Sequence, residues 1–168
     1  RSSDLEMIVG NLPAMTIRPN DLDLDFAAKR LNVFASDHCD GQVAYWPERP
    51  IAVVPITVKF GLIYIKVRVD GHDLMALLNT GSIETIMSAD FAKFDLKLDP
   101  GSADMPEVGA SSSDPLAKEY SHKFKELIFD GVTISNPKIK IVKDAWAYAN
   151  LPAFVDRPRL PDLTLGMN

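Results

Sequence analysis

The chain has 168 residues, 46% of them hydrophobic and 24% charged, which is ordinary globular material with apolar side chains enough for one core. Its net charge is −5 and its basic residues are scattered, the densest group (Lys118 to Lys125) being interrupted by Glu119, so the clustered cationic face needed by nucleic acid or anionic membrane is excluded. No apolar run reaches the roughly 18 residues of a membrane-spanning helix, and the lone Cys39 has no partner within the chain for a disulfide.

In chain order, residues 1–7 carry neither an initiator Met nor a basic stretch followed by an apolar one, so an internal start is expected and a removed leader stays open. Leu22, Leu24 and Phe26 alternate with Asp21, Asp23 and Asp25, a period of two that predicts a half-buried strand. A turn over 27–30 and a second short strand, Leu31 to Phe34, follow. Residues 35–42 read as a polar loop, and Trp46 to Pro50, with two prolines, as a linker. From Ile51 the pattern becomes dense β: 51–60 and 62–69 are rich in Val, Ile and Tyr, and Asp70-Gly71 predicts a tight hairpin into 72–78. Residues 88–99 suit a short helix capped by Ser88, then a strand. The Pro-, Gly- and Ser-rich stretch 100–117 predicts a long loop or a hairpin with a flexible tip. Strands are expected over 122–129, after the Asp130-Gly131 turn, and after Asn136-Pro137. A proline-punctuated connection then leads to a short apolar strand ending at Gly166. Seven or eight short strands, with one or two helical turns, predict an all-β barrel or sandwich.

One short stretch carries chemistry. The apolar run before Asn79 stops at Asn79-Thr80-Gly81-Ser82, resumes beyond it, and is matched far downstream by Thr164-Leu165-Gly166. Alone, such a turn is common β-turn composition. With the preceding Asp-Gly hairpin and the terminal Leu-Gly, Leu77-Leu78-Asn79-Thr80-Gly81-Ser82 resembles the catalytic loop of retropepsin-like aspartic proteases, single-lobe relatives of pepsin. Thr85 also suits the family, and Thr164 departs from it at one apolar position. The resemblance covers residues 51–168 and implies a closed all-β lobe with one or two short helices. It implies that Asn79 occupies the position of the catalytic acid, that Thr80 steadies the loop by bonding to its twin, and that Gly81 permits close approach. It further implies that Ser82, Val108, Gly109, Ala110 and Ser111 bind substrate, that 106–115 form a flap, and that Leu165 and Gly166 pack beneath the loop.

Aspartic proteases need two carboxylates sharing one proton, because like charges so close cannot both ionise. One lobe supplies one loop, so a second lobe is expected as partner, from a homodimer or from the same polypeptide, alongside a peptide or protein substrate. No cofactor and no metal are expected. Residues 20–34 resemble the final strand pair of such a lobe. We therefore expect 1–50 to be tail strands of a preceding lobe plus a linker, and 51–168 a lobe truncated at its C-terminal end. The alternative is a strand exchanged or permuted between lobes. The amide is the departure. Asn keeps the shape of Asp but cannot carry the charge or accept a proton from water, so an inactive lobe is expected. An experimenter would choose that change to stop cleavage, and a lineage of inactive lobes would drift to it; the first is our expectation. A non-catalytic peptide-binding module on the same fold is the alternative function. The tandem-lobe resemblance alone suggests a periplasmic or secreted location, with the cytosol still open.

Other clusters have plainer readings. Asp21, Asp23 and Asp25 read as the solvated face of a strand, since a calcium loop needs a Gly turn and a distal Glu. Asp37-His38-Cys39-Asp40 reads as a structural loop, and His72 and His122 lack a nucleophile–base pattern. Ser111 to Ser113 lack the G-x-S-x-G context of a serine hydrolase. Trp46 anchors a loop in this reading, whereas Trp146 and Tyr148 are also candidates to line a cleft.

Overall fold

The structure, a computed structural model, describes residues 19–25, 27–35, 52–59, 61–110, 116–143 and 161–167. The chain divides into two units, residues 1–50 and 51–168.

In the first unit β1 (Asn20–Asp25) pairs antiparallel with β2 (Arg30–Ala35). The turn between them is held by the Asp25 carboxylate, which accepts the Ala28 N–H at 2.8 Å, and by Lys29 in the left-handed region. The period-two pattern sets the register: Leu22 faces Val33 and Leu24 faces Leu31, on one side of the ribbon. The opposite side is polar, with Asn32 Nδ2 donating to Asp23 Oδ2 at 2.9 Å. All four of these apolar side chains are exposed, at 39–50%.

The second unit contains β3 (Ile56–Lys59), β4 (Leu62–Val69), β5 (His72–Leu78), β6 (Ile86–Ser88), α1 (Ala89–Phe94), β7 (Glu107–Ala110), β8 (Lys118–Lys123), β9 (Glu126–Phe129), β10 (Val132–Ser135), β11 (Lys138–Val142) and β12 (Leu163–Leu165). Its ten strands form one sheet in the order β10-β9-β4-β5-β12-β6-β11-β8-β7, with β3 added beside β4. The lobe is all-β apart from one short helix, as the sequence predicts.

Local chemistry explains the ladder. In β4, Ile65, Val67 and Val69 are buried and alternate with exposed Lys66 and Arg68, as strand pleating requires. Asp70-Gly71 and Asp130-Gly131 turn with φ of 45° and 85°, and 40° and 85°, the doubly positive pair that closes a two-residue hairpin with the right twist. Asp70 also ties two distant segments together. Its Oδ1 accepts the N–H groups of Lys125 (2.8 Å) and Glu126 (2.9 Å), pinning the start of β9 to the β4–β5 turn. Ser88 caps α1, its Oγ accepting from Phe91 N at 3.4 Å, and Phe91 and Ala92 face the core. That core is centred on Val69, Ala76, Met87, Met105, Ile139 and Leu163, all with no exposed surface.

Three expectations need correction. Residues 95–99 form no strand: the N–H groups of Leu96 and Leu98 turn back to the carbonyls of Phe91 and Ala92, and Lys97 is left-handed, so this backbone closes the helix instead of joining a ladder. Residues 52–55 precede β3 without joining it. The run 122–129 is two strands, not one, broken at Phe124-Lys125 where Phe124 N donates to Pro137 O and Lys125 N to Asp70. With the short β6 added, twelve strands are defined among the described residues.

Candidate functional site

β5 delivers residue 79, and β12 runs parallel beside it, with Ala76, Leu77 and Leu78 opposite Leu163, Thr164 and Leu165. β12 also pairs antiparallel with β6, opposing Leu163 to Met87 and Thr164 to Ile86. The terminal segment is thus wedged between the strand entering the loop and the strand leaving it. Thr164 is half-buried there, and its backbone takes part in both ladders.

Three hydrogen bonds fasten the loop to that wedge. Asn79 N–H donates to Leu165 O at 2.9 Å, Met167 N–H to Ser82 O at 2.9 Å, and Gly166 N–H to the hydroxyl oxygen of buried Thr85 at 3.2 Å. Gly166 is dictated by the close approach: a Cβ there would lie 2.4 Å from Glu84 O and 2.5 Å from Glu84 C. Leu165 and Gly166 therefore pack beneath the loop, and Thr85 is the side chain that holds them.

Within the loop, Ser82 N–H closes a turn onto Asn79 O at 3.1 Å, and Ser82 Oγ donates to Glu84 O at 2.8 Å. Gly81 N–H donates to Asn79 Oδ1 at 3.1 Å. That bond orients the carboxamide, because Oδ1 must be the oxygen that accepts. Gly81 sits outside the left-handed region, and the nearest atom to a Cβ there would be Asn79 Oδ1 at 3.3 Å. Its role inside this lobe is accordingly to leave room around the side chain of residue 79. Asn79 and Ser82 are half-buried, whereas Thr80 and Gly81 are exposed at the tip.

The predicted flap region is in part a real hairpin. β7 pairs antiparallel with β8, with Gly109 opposite Glu119 and Ala110 opposite Lys118. An irregularity between Glu107 and Gly109 makes Val108 the extra residue, and Lys118 Nζ meets Glu107 Oε2 at 2.7 Å. Val108, Gly109 and Ala110 are all exposed. Ser111 and the rest of 111–115 lie outside the described residues, as do Cys39, Trp146 and Tyr148.

Sequence reasoning missed the charged residues beside the loop. Lys140 Nζ lies 2.5 Å from Glu84 Oε2 and 3.1 Å from Glu119 Oε2. The hydrogen bond that Lys140 donates to Glu84 first, and the one it donates to Glu119, hold its ammonium above the usual lysine range against the opposing effect of burial. Its position follows from backbone pairing: Lys140 is parallel to Ile86 and opposite Ser121, and its N–H donates to Thr85 O at 3.1 Å. The alternation of Lys138 and Lys140 with buried Ile139 and Ile141 marks a polar strand face, but nothing local says what faces it. The loop also borders an apolar cavity of about 610 Å³, lined by Leu78, Ile65, Phe129 and Leu165 among others. His122 is occupied structurally, its Nδ1 2.6 Å from Asp104 O and its ring edge-on to Phe124. No group of three metal-binding side chains exists among the described residues.

No family model matches the chain, and no curated protein matches it. Among solved structures it is similar to a retropepsin-like aspartic protease from Rickettsia conorii, with a TM-score of 0.48 and 15% identity, covering 68% of this chain and 74% of that one. It is also similar to the retroviral protease-like domain of Ddi1 from Leishmania major, with a TM-score of 0.35 and 12% identity, covering 62% and 69%.

Proposed function

We propose that this chain is one lobe of a retropepsin-like aspartic endopeptidase, silenced at position 79. The observation that supports this best is the fastening of the 79–85 loop to residues 165–167, which holds residue 79 at the end of two parallel strands in a fixed orientation. A rigid, hydrogen-bonded support of that kind is what a positioned catalytic side chain needs.

With an acid at 79, the Gly81 N–H would donate to its carboxylate and favour the charged form. A second lobe would bring an equivalent acid alongside, and the two would share one proton. One carboxylate then takes a proton from water as its oxygen adds to the peptide carbonyl, while the other protonates the carbonyl oxygen. Collapse breaks the C–N bond as the carboxyl that took the water's proton passes it to the leaving amine and the other carboxylate takes a hydroxyl proton from the intermediate, which restores the shared-proton pair. Asn79 can accept the Gly81 N–H but cannot accept a proton from water, and losing a general base costs about 10²–10⁴-fold in rate. The β7–β8 hairpin is our candidate for the flap that closes over peptide.

The test is peptide cleavage in mildly acidic buffer by the protein as it stands and by Asn79→Asp. We expect cleavage by the variant alone, abolished by transition-state-mimic inhibitors of this class. Equal, robust cleavage by both forms would refute the role of position 79. The amide itself favours a second reading, a peptide-binding lobe without catalysis, in which extended peptide pairs under the hairpin. It predicts binding by both forms and cleavage by neither.

A further inference from the structure

A polar pocket of about 320 Å³ lies beside the loop, lined by Glu84, Thr85, Val108, Glu119, Lys138 and Lys140 among others. Its walls come from the residues just after the loop, from the β7–β8 hairpin and from β11. A chain lying between loop and hairpin would therefore pass its mouth. On its lining two carboxylates share the ammonium of Lys140, and one negative charge is left in surplus when Lys138, the other cation of the lining, extends into water. The Glu119 and Lys140 side chains are only 18% and 25% exposed, so this charge is less screened than one on the open surface. Glu84, half-exposed, has room to accept further hydrogen bonds. Lys138 is exposed and forms no ion pair among the described residues, so its flexible stem can carry its ammonium into water. Val108, exposed at the bulge, offers apolar surface for the stem of a long side chain.

We infer that this pocket is a specificity subsite that takes a basic side chain, lysine or arginine, of the bound peptide. The inference rests on the peptide-binding half of the reading above and does not need catalysis. Lys140 serves as a fixed counter-ion that holds both carboxylates in place, and the incoming cation meets the surplus charge. An aliphatic side chain would leave the carboxylates partly desolvated without a new partner, and an acidic one would be repelled.

The test uses the protein as it stands and fluorescent peptides with one position at a time set to Arg, Gln, Leu or Glu in a mixed-residue background, with affinity read by anisotropy. At one position Arg should bind on the order of tenfold tighter than Leu, with Glu weakest, as expected for a charge-assisted hydrogen bond at a partly exposed site. Glu84→Gln and Glu119→Gln, which keep shape, should each remove most of that preference, chiefly by weakening the Arg peptide. Lys138→Ala should preserve or increase it. Thermal unfolding of each variant confirms that it is folded. Peptide binding with no position favouring Arg, or a preference that survives both Gln variants, overturns the subsite and leaves the peptide-binding reading standing. Failure of both the Asn79 protein and Asn79→Asp to bind any peptide overturns the two together.

Discussion

Gly166→Ala should be the most damaging one-carbon change near the loop. The added Cβ would sit 2.4 Å from Glu84 O, 2.5 Å from Glu84 C and 3.0 Å from Glu84 N. All three are backbone atoms, so no side chain can rotate out of the way. Either residue 84 or the terminal segment must move, and the three hydrogen bonds that fasten them are the contacts at risk. Overpacking of about 1–3 kcal/mol, together with weakening of a bond worth about 1 kcal/mol, gives a loss of about 2–4 kcal/mol. For a domain of this size that corresponds to a Tm lower by about 8–16 °C, measured by circular dichroism or scanning fluorimetry. Gly81→Ala is the control: its nearest contact is a side-chain atom at 3.3 Å, so its melting temperature should stay close to the parent's. A Gly166→Ala protein that melts within about 2 °C of the parent, below the shift expected for 1 kcal/mol, would refute the close-packed wedge beneath the loop.

Three further outcomes are expected. Thr85→Val should destabilise by about 1–3 kcal/mol in denaturant unfolding, because it leaves the Gly166 N–H without its acceptor, whereas Thr85→Ser should lose much less. Asp70→Ala removes the acceptor of two backbone N–H groups and should lower the unfolding midpoint clearly, while Asp70→Asn, which keeps an oxygen in place, should retain most of the stability; equal losses in the two variants would contradict the pinning role. Lys140 has a folded-state pKa raised chiefly by the hydrogen bond to Glu84. Its contribution is therefore fully present below the ordinary lysine pKa, about 10.4, and is lost as pH rises through the higher folded value. Stability measured from pH 9 to 12 should accordingly fall less steeply for Lys140→Met than for the parent, and identical alkaline slopes would count against the ion pairs to Glu84 and Glu119.

Features whose cause is local are legible in the residues themselves. Asp-Gly at 70–71 and 130–131 can hardly be anything but tight hairpin turns, Ser88 caps the helix beside it, and the period-two runs around Leu22 and Ile65 place their apolar sides on one face. The motif Leu77–Ser82 and its distant echo at Leu165-Gly166 also stand out, because the residue types demanded by shape are few. The Leu-Lys-Leu alternation at 96–98 misleads, since it is equally served by a chain that turns back to cap a helix while its leucines pack on the core. The break at Phe124-Lys125 has no local signal, because its cause, the Asp70 carboxylate, is distant in the chain. Other features exist only once the chain has folded. Residue 166 must be glycine because the backbone of Glu84 lies against it, 82 residues away in sequence. Glu84, Glu119 and Lys140 meet because β11 pairs parallel with β6 and antiparallel with β8, a register that no local pattern encodes.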